Sequence, residues 1–328
     1  MVSPDWPARL GETSVGDRMS KVHIVTGSDD NYAAGVMGLI ASAAAHIPDL
    51  RVTVLDREIS PDNRARIDAL GPRLNIDVQR IEIAADALAD LPVLRGHLTS
   101  ATYLRLLIPE LLPDEDRVLY MDCDMVVTGN LTDIACMEMG DAPVAAVPCP
   151  SPMAAELSAT ELAKGQYVNA GLLVMNLPIC RREDMAGACL RLLADPAKPL
   201  LSEDQSALNM ACRGRIILLP PEYNVYSDPA AWSDPSLIPA EPKVIHYVVG
   251  MKPWNGPVPL GAVWSAYVAP IADLMPQLKP TRRRRRLSRL NGQRKMVLGL
   301  LTGRRKYLNK FQAQRRMAEL SRELSARV

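Results

Sequence analysis

The strongest constraint on the fold is an apolar run that ends in two carboxylates. Residues 117–127 read Arg-Val-Leu-Tyr-Met-Asp-Cys-Asp-Met-Val-Val, so a segment of strand composition carries Asp122 and Asp124. Side chains alternate between faces in an extended chain, so both carboxylates are expected on one side. Such a pair suits a divalent cation that also binds phosphate oxygens. A second Asp-x-Asp copy, at 114–116, lies in a polar turn and is expected to be a solvated loop.

Strand-like and helix-like segments alternate along most of the chain. Besides 117–127, strands are predicted at 22–26, 51–55, 77–83, 143–147, 171–176, 215–219 and 243–248, and helices at 32–45, 99–112, 181–193, 202–212 and from Ser60-Pro61 onward. This alternation predicts an α/β fold with a mixed, mostly parallel sheet flanked by helices. Open sheets of this kind bind ligands at the carboxyl ends of their strands, where Asp122 and Asp124 are expected. The proline-rich residues 219–242 are expected to cover a site.

The charge is divided between a body and a tail. Residues 281–328 hold sixteen Lys and Arg but only two Glu, a net charge of +14, whereas residues 1–280 carry −13. Five consecutive arginines, Arg282–Arg286, are followed by apolar residues interleaved with further basic ones. We expect a basic, amphipathic helical tail that binds an anionic membrane surface. A solvated, partly disordered end is the alternative. Nucleic acid is not an expected partner, because the acidic body offers no groove for it.

The remaining composition is typical of a protein kept in the cytoplasm. No apolar run is long enough to cross a bilayer, and the first twenty residues lack a signal-peptide pattern. The six cysteines are scattered without a Cys-x-x-Cys pair, which favours free thiols over a disulfide framework or a zinc site. Residues 1–20 are expected to be disordered.

Six short motifs follow one another along the body. They are Asp-Asp-Asn-Tyr at 29–32, Thr-Tyr-Leu-Arg at 102–105, Leu-Tyr-Met-Asp-Cys-Asp at 119–124, Asn-Ala-Gly at 169–171, Asp-Gln at 204–205, and the run from His246-Tyr247 to Lys252-Pro253-Trp254. In this order they resemble the family-8 retaining glycosyltransferases, which include lipooligosaccharide and lipopolysaccharide glucosyl- and galactosyltransferases and glycogenin. The resemblance runs from about Val22 to Trp254. It implies a nucleotide-sugar-binding fold of GT-A type over residues 21–280, with 281–328 as the membrane-association tail.

The resemblance also implies a role for each motif. The donor would be UDP-glucose or UDP-galactose, bound with Mn²⁺, or with Mg²⁺ as the alternative ion. The implied metal ligands are Asp122, Asp124 and His246. The implied donor-binding residues are Asp29, Asn31 and Tyr32 for uridine, and Gly250 and Lys252 for the diphosphate. The implied catalytic residues around the sugar are Arg105, Asn169, Asp204 and Gln205.

The function implied is that of a metal-dependent retaining hexosyltransferase at the inner membrane face. Its acceptor would be a saccharide or glycolipid that belongs to a lipopolysaccharide-type or other surface glycan. Where many relatives carry Asp after the Asp-Gln pair, this chain has Ser206, which favours front-face attack over a covalent intermediate. Three alternatives remain open at this stage. They are a non-catalytic nucleotide-sugar-binding or membrane-scaffold protein of the same fold, a nucleotidyltransferase, and a self-glucosylating protein like glycogenin.

Overall fold

A seven-stranded sheet forms the centre of the molecule. The computed structural model describes residues 22–84, 100–195, 200–248, 250–277 and 304–328, together with 294, 299, 301 and 302. The large sheet has the order β3-β2-β1-β4-β7-β6-β8. Its strands are β1 (Val22–Ser28), β2 (Leu50–Asp56), β3 (Asp77–Glu82), β4 (Arg117–Met121), β6 (Val144–Pro148), β7 (Val168–Asn176) and β8 (Ile216–Leu218). A small second sheet has the order β5-β10-β9 and contains β5 (Met125–Val127), β9 (Val225–Tyr226) and β10 (Val244–His246).

The large sheet is mixed and mostly parallel, as the sequence predicts. Strand β7 runs antiparallel to β4 and β6, and the other neighbouring pairs are parallel. The register of β1 on β4 pairs Ile24 with Leu119 and Val25 with Tyr120. Because these two strands are parallel neighbours, the segments that follow them, 29–32 and 122–124, emerge at the same edge of the sheet.

Helices cover both faces of this sheet. They are α1 (Ala33–His46), α2 (Pro61–Asp68), α3 (Leu70–Leu74), α4 (Ile108–Leu111), α5 (Thr132–Ala135), α6 (Ala154–Thr160), α7 (Leu177–Arg182), α8 (Met185–Leu193), α9 (Glu203–Ala211), α10 (Gly261–Val268) and α11 (Arg305–Ser325). Alternate residues of one strand belong to different apolar clusters. In β4, Leu119 belongs to the cluster that contains residues of α1 and α11, whereas Val118 belongs to the cluster that contains residues of α8 and α9. The core therefore consists of two layers separated by the sheet.

Three predicted elements are divided in the structure. Residues 117–127 were expected as one strand, but β4 ends at Met121 and β5 begins at Met125 in the other sheet. The predicted helix 99–112 is a 3₁₀ helix over Ser100–Leu107 followed by α4, since Pro109 has no N–H to continue an α-helical ladder. The predicted helix 181–193 becomes α7 and α8, because the Asp184 side chain accepts a hydrogen bond from the Gly187 N–H and begins a new helix.

The C-terminal helix α11 packs against the body. It buries Ala313, Met317, Leu320 and Leu324, which recur every three or four residues and join the cluster around α1 and α10. One face of α11 is therefore packed on the folded body, a contact that the sequence does not predict. The predicted disordered segment 1–20 and Arg282–Arg286 lie outside the described residues. Among the helices described, none combines the length and the apolar character needed to cross a membrane.

Replacing Leu320 with Ala tests the packing of α11. The side chain is fully buried, so we expect a loss of about 2–5 kcal/mol in the free energy of unfolding, measured by urea titration. Leu308 on the same helix is 46% exposed, and Leu308→Ala is expected to change stability by no more than about 0.5 kcal/mol. Equal effects of the two substitutions would contradict the docked position of α11.

Candidate active site

Two carboxylates and one imidazole converge where β4, β5 and β10 meet. The side chains of Asp122, Asp124 and His246 each offer one ligand atom, and these three atoms lie within 4.8 Å of one another. His246 Nε2 is 3.1 Å from an Asp124 oxygen and 3.7 Å from an Asp122 oxygen. In β10, His246 pairs with Met125 of β5, which brings the imidazole beside the Asp-x-Asp segment.

The turn at 122–124, rather than an extended strand, brings the carboxylates together. The Asp122 N–H donates to the Gly171 carbonyl over 2.7 Å, and the Tyr247 N–H donates to the Asp124 carbonyl over 2.9 Å. One end of the turn is thus fixed to β7 and the other to the segment after β10. The two side chains share a side, as predicted, but strand alternation is not the reason.

A glycine in β7 makes room for this group. A Cβ atom built on Gly171 would lie 2.5 Å from His246 Cε1 and 2.7 Å from Asp122 Oδ2, closer than real Cβ contacts. Any larger residue would displace a candidate ligand. Two hard carboxylate oxygens and an imidazole nitrogen form a donor set that suits Mn²⁺. The residues present therefore fit a divalent cation.

A buried lysine lies against the same carboxylates. Lys252 Nζ is 2.5 Å from Asp124 Oδ2 and 2.7 Å from the Tyr247 carbonyl. Burial alone would raise the pKa of Asp124, but the neighbouring His246 and Lys252 outweigh it and lower that pKa. Asp124 is therefore ionised at neutral pH. Gly250, two residues before Lys252, has a left-handed φ of 75° and is exposed.

A buried arginine links the candidate metal ligands to α9. Arg105 forms ion pairs with two acids: its Nε lies 2.9 Å from an Asp204 oxygen, and one terminal nitrogen lies 3.1 Å from an Asp122 oxygen. The other terminal nitrogen donates to the Ala170 carbonyl over 2.5 Å. The guanidinium also lies over the Tyr120 ring, whose hydroxyl donates to Asp122 over 2.7 Å. Burial disfavours the charged guanidinium, but Asp122 and Asp204 outweigh it and raise the pKa of Arg105. This arginine is a permanent cation between two acids.

Asp204 has an unusual environment for a carboxylate. It lies in the first turn of α9, is almost fully buried, and faces Arg105. Burial raises its pKa to about 6, although Arg105 opposes the shift. A group with this pKa accepts hydrogen bonds as a carboxylate at neutral pH and loses that capacity in mild acid.

Asn169 and Gln205 lie beside this arginine in a chain of amide side chains. Asn169 donates to Gln205 Oε1 over 2.7 Å and accepts from Asn224 over 2.7 Å. Asn224 in turn lies 3.0 Å from His246 Nδ1. Asn224 is not predicted from the sequence, because residues 219–242 have no periodic pattern. Its signal is a polar residue directly before the apolar pair Val225-Tyr226.

The motif at 29–32 forms the other end of the site. Asp29 accepts from the Asn31 N–H over 3.0 Å and so caps a 3₁₀ turn, while Asn31 itself is exposed. The Tyr32 ring meets Trp254 edge to face, with centroids 5.9 Å apart. Burial raises the pKa of Tyr32, although Lys252 opposes the shift, so its ring is a neutral aromatic surface near the lysine. The predicted residues thus line one edge of the sheet, from Tyr32 through the acidic group to Gln205.

Comparison with known proteins identifies the family and the fold. A sequence model of glycosyl transferase family 8 matches residues 23–256. General stress protein A of Bacillus subtilis is 25% identical over 71% of this chain and 87% of its own length. The lipopolysaccharide 1,3-galactosyltransferase of Salmonella typhimurium is 26% identical over 79% of this chain and 78% of its own length. A crystal structure of galactosyltransferase LgtC with donor and acceptor sugar analogs superposes with a TM-score of 0.64, at 25% identity over 78% of this chain and 97% of that chain.

The fold and these likenesses define a glycosyltransferase of GT-A type. The chain belongs to glycosyltransferase family 8. The relatives that carry a lipopolysaccharide name include a glucosyltransferase as well as a galactosyltransferase.

Proposed function

We propose that this protein transfers a hexose from a UDP-hexose, with retention at the anomeric carbon, to a saccharide acceptor of the lipopolysaccharide type. The observation that carries the proposal is the group of Asp122, Asp124 and His246 within 4.8 Å, with Lys252 against it. These residues offer metal ligands and a fixed cation at one point of the site. A nucleoside diphosphate needs both to become a good leaving group.

The leaving-group end of the reaction is assigned to these residues. A divalent ion held by Asp122, Asp124 and His246 would neutralise charge on the diphosphate, and the imidazole ligand favours Mn²⁺ over Mg²⁺. Lys252 is buried and would donate to a diphosphate oxygen from its present place beside Asp124. Its ammonium needs no solvent reorganisation when charge develops on the departing phosphate. Tyr32 offers its ring to the uracil base.

The sugar end is assigned to Arg105, Asn169, Asp204 and Gln205. Asp204 would accept from hexose hydroxyls and hold the ring for attack. Arg105 keeps Asp204 and Asp122 in a fixed relation, because it forms an ion pair with both. Gln205 is held by Asn169 and Tyr167 and lies next to Asp204 in the chain.

Retention is proposed to proceed by front-face attack. The residue after Gln205 is Ser206, and its hydroxyl is buried 2.9 Å from the Tyr167 hydroxyl. Serine at this position offers no carboxylate for a covalent intermediate on the far face of the sugar. The departing phosphate would then take the acceptor's proton.

An anionic membrane is proposed to hold the enzyme near a lipid-linked acceptor. The net charge of residues 281–328 is +14, and Leu308 and Phe311 of α11 are 46% and 38% exposed beside Arg304 and Arg305. Because the opposite face of α11 is packed on the body, these residues would meet the membrane on the docked helix. Each basic residue near such a surface contributes on the order of 1 kcal/mol before screening.

UDP release from a panel of UDP-sugars, with and without Mn²⁺, tests the proposed reaction. We expect slow hydrolysis of one UDP-hexose that requires the metal, and the anomer of a transferred sugar, read by NMR, should match that of the donor. Asp124→Ala removes a metal ligand that also pairs with Lys252, so turnover should fall by at least about a hundredfold.

The matched control is Asp114→Ala, which alters the exposed Asp-x-Asp copy at 114–116 and should leave turnover unchanged. Full turnover by Asp124→Ala would exclude the proposed metal site. If wild-type protein neither releases UDP from any donor nor binds UDP in calorimetry, the non-catalytic scaffold is the better account.

The pKa of Asp204 predicts how donor binding depends on pH. Above about pH 6 the carboxylate is ionised and accepts from the hexose, whereas below that value it is protonated. The ratio of UDP-hexose affinity to UDP affinity should therefore fall as the pH is lowered below 6. The fall should approach a factor of ten for each pH unit. The ratio cancels effects on the metal, since both ligands share the diphosphate. Asp204→Asn should lower the ratio at pH 7.5 and make it independent of pH. A wild-type ratio that does not change from pH 5 to 8 would show that the Asp204 carboxylate does not bind the hexose.

Vesicle flotation tests the membrane proposal. Replacing Arg282–Arg286 with Gln leaves the buried residues of α11 intact and should reduce binding to phosphatidylglycerol vesicles by more than tenfold. Phosphatidylcholine vesicles serve as the neutral control and should bind neither protein. Unchanged binding of the substituted protein to anionic vesicles would contradict the proposal.

A further inference from the structure

A buried line of side-chain amides runs from α9 to the imidazole of the candidate metal site. Gln205 accepts from Asn169 over 2.7 Å, Asn169 accepts from Asn224 over 2.7 Å, and Asn224 Oδ1 is 3.0 Å from His246 Nδ1. The residues between the ends, Asn169 and Asn224, are 9% and 2% exposed. Water therefore has little access to these contacts, and the amides must satisfy one another.

Backbone N–H groups fix the direction of this line. The Ala170 N–H donates to Gln205 over 3.2 Å, so the atom it meets is the amide oxygen. The Gly171 N–H donates to Asn169 over 3.1 Å, so that atom is also an oxygen. A backbone amide can only donate, which removes the usual ambiguity between the oxygen and nitrogen of a side-chain amide.

Asn224 then has one orientation. Its neighbour Asn169 presents an oxygen, so Asn224 must turn its NH₂ group toward Asn169 and its own oxygen toward His246. An oxygen 3.0 Å from Nδ1 requires a proton on that nitrogen. Nε2 then faces the carboxylate side of the ring, where an Asp124 oxygen lies 3.1 Å away.

We propose that Asn224 is a positioning residue that keeps the His246 proton on Nδ1 and so presents Nε2 to a divalent cation. The Tyr226 ring meets the imidazole edge to face at 5.6 Å and limits its rotation. A ligating histidine depends on the acceptor of its other N–H for both tautomer and orientation. The inference deepens the proposed function, because the cation is the one assigned to the diphosphate.

Nitrogen NMR of histidine-labelled, metal-free protein observes the proton directly. The chain has four histidines, and His246→Gln identifies the signal of interest. In the neutral ring of the wild-type protein, His246 Nδ1 should carry the proton. An unprotonated Nδ1 in the neutral ring would overturn the proposal whatever the variants do.

Substitutions of Asn224 provide the second measurement. Asn224→Ala removes the acceptor, so the neutral ring should move its proton to Nε2 beside Asp124, and Mn²⁺ affinity should fall by about 10- to 100-fold, measured by electron paramagnetic resonance. Asn224→Asp keeps an acceptor for Nδ1–H and should retain the wild-type tautomer, while stability should fall because its second oxygen replaces the NH₂ that donates to Asn169.

Asn209→Ala is the control for general damage to the fold. Asn209 is another fully buried amide, which bonds to the Val168 backbone and does not touch His246. It should lower stability without changing the tautomer or the Mn²⁺ affinity. Equal losses of affinity in Asn209→Ala and Asn224→Ala, or no loss in Asn224→Ala, would overturn the proposal. Neither measurement uses a sugar donor, so failure to find a donor would leave this result standing.

Discussion

Like-charge repulsion is the constraint around which the site is built. Three acids, Asp122, Asp124 and Asp204, converge at one edge of the sheet. Carboxylates that are buried close together are unfavourable unless nearby cations compensate their charge. Arg105 joins two of them and Lys252 pairs with the third. These two cations come from segments far apart in the chain. The acidic group can therefore form only when the sheet and the C-terminal part of the body are both in place.

The break between β4 and β5 gives this group its shape. A continuous strand over 117–127 would carry the chain away from β10, whereas the turn at 122–124 passes it from the large sheet to the small one. Pairing of β5 with β10 then brings His246 back to the carboxylates. Gly171 lies beneath them without a side chain. The same turn explains how two residues of an apolar run become accessible to a ligand.

Local patterns predicted most elements, and long-range contacts decided the rest. The sequence predicted β1, β2 and β3 to within two residues. Strands β1 and β2 are buried apolar runs, whereas β3 is a partly exposed edge strand in which Val78 and Ile81 stand among polar residues. Local patterns did not predict the break at 122–124, which depends on bonds to Gly171 and Tyr247. The charged residues that the structure brings together at this edge of the sheet all belong to the six short motifs. Asn224 was not predicted, because it is a neutral amide in an irregular segment and its role depends on its contacts with Asn169 and His246. The docking of α11 was not predicted either, because the sequence indicates an amphipathic helix but not which surface covers its apolar stripe.

The central claim is that Asp122, Asp124 and His246 hold one divalent cation against a nucleoside diphosphate. The most direct measurement is an anomalous difference map from crystals grown with Mn²⁺ and UDP. The account predicts one strong peak bonded to an oxygen of each carboxylate, to His246 Nε2 and to the diphosphate, at about 2.0–2.3 Å. A UDP-bound crystal without this peak, or with Mn²⁺ bound elsewhere, would contradict it.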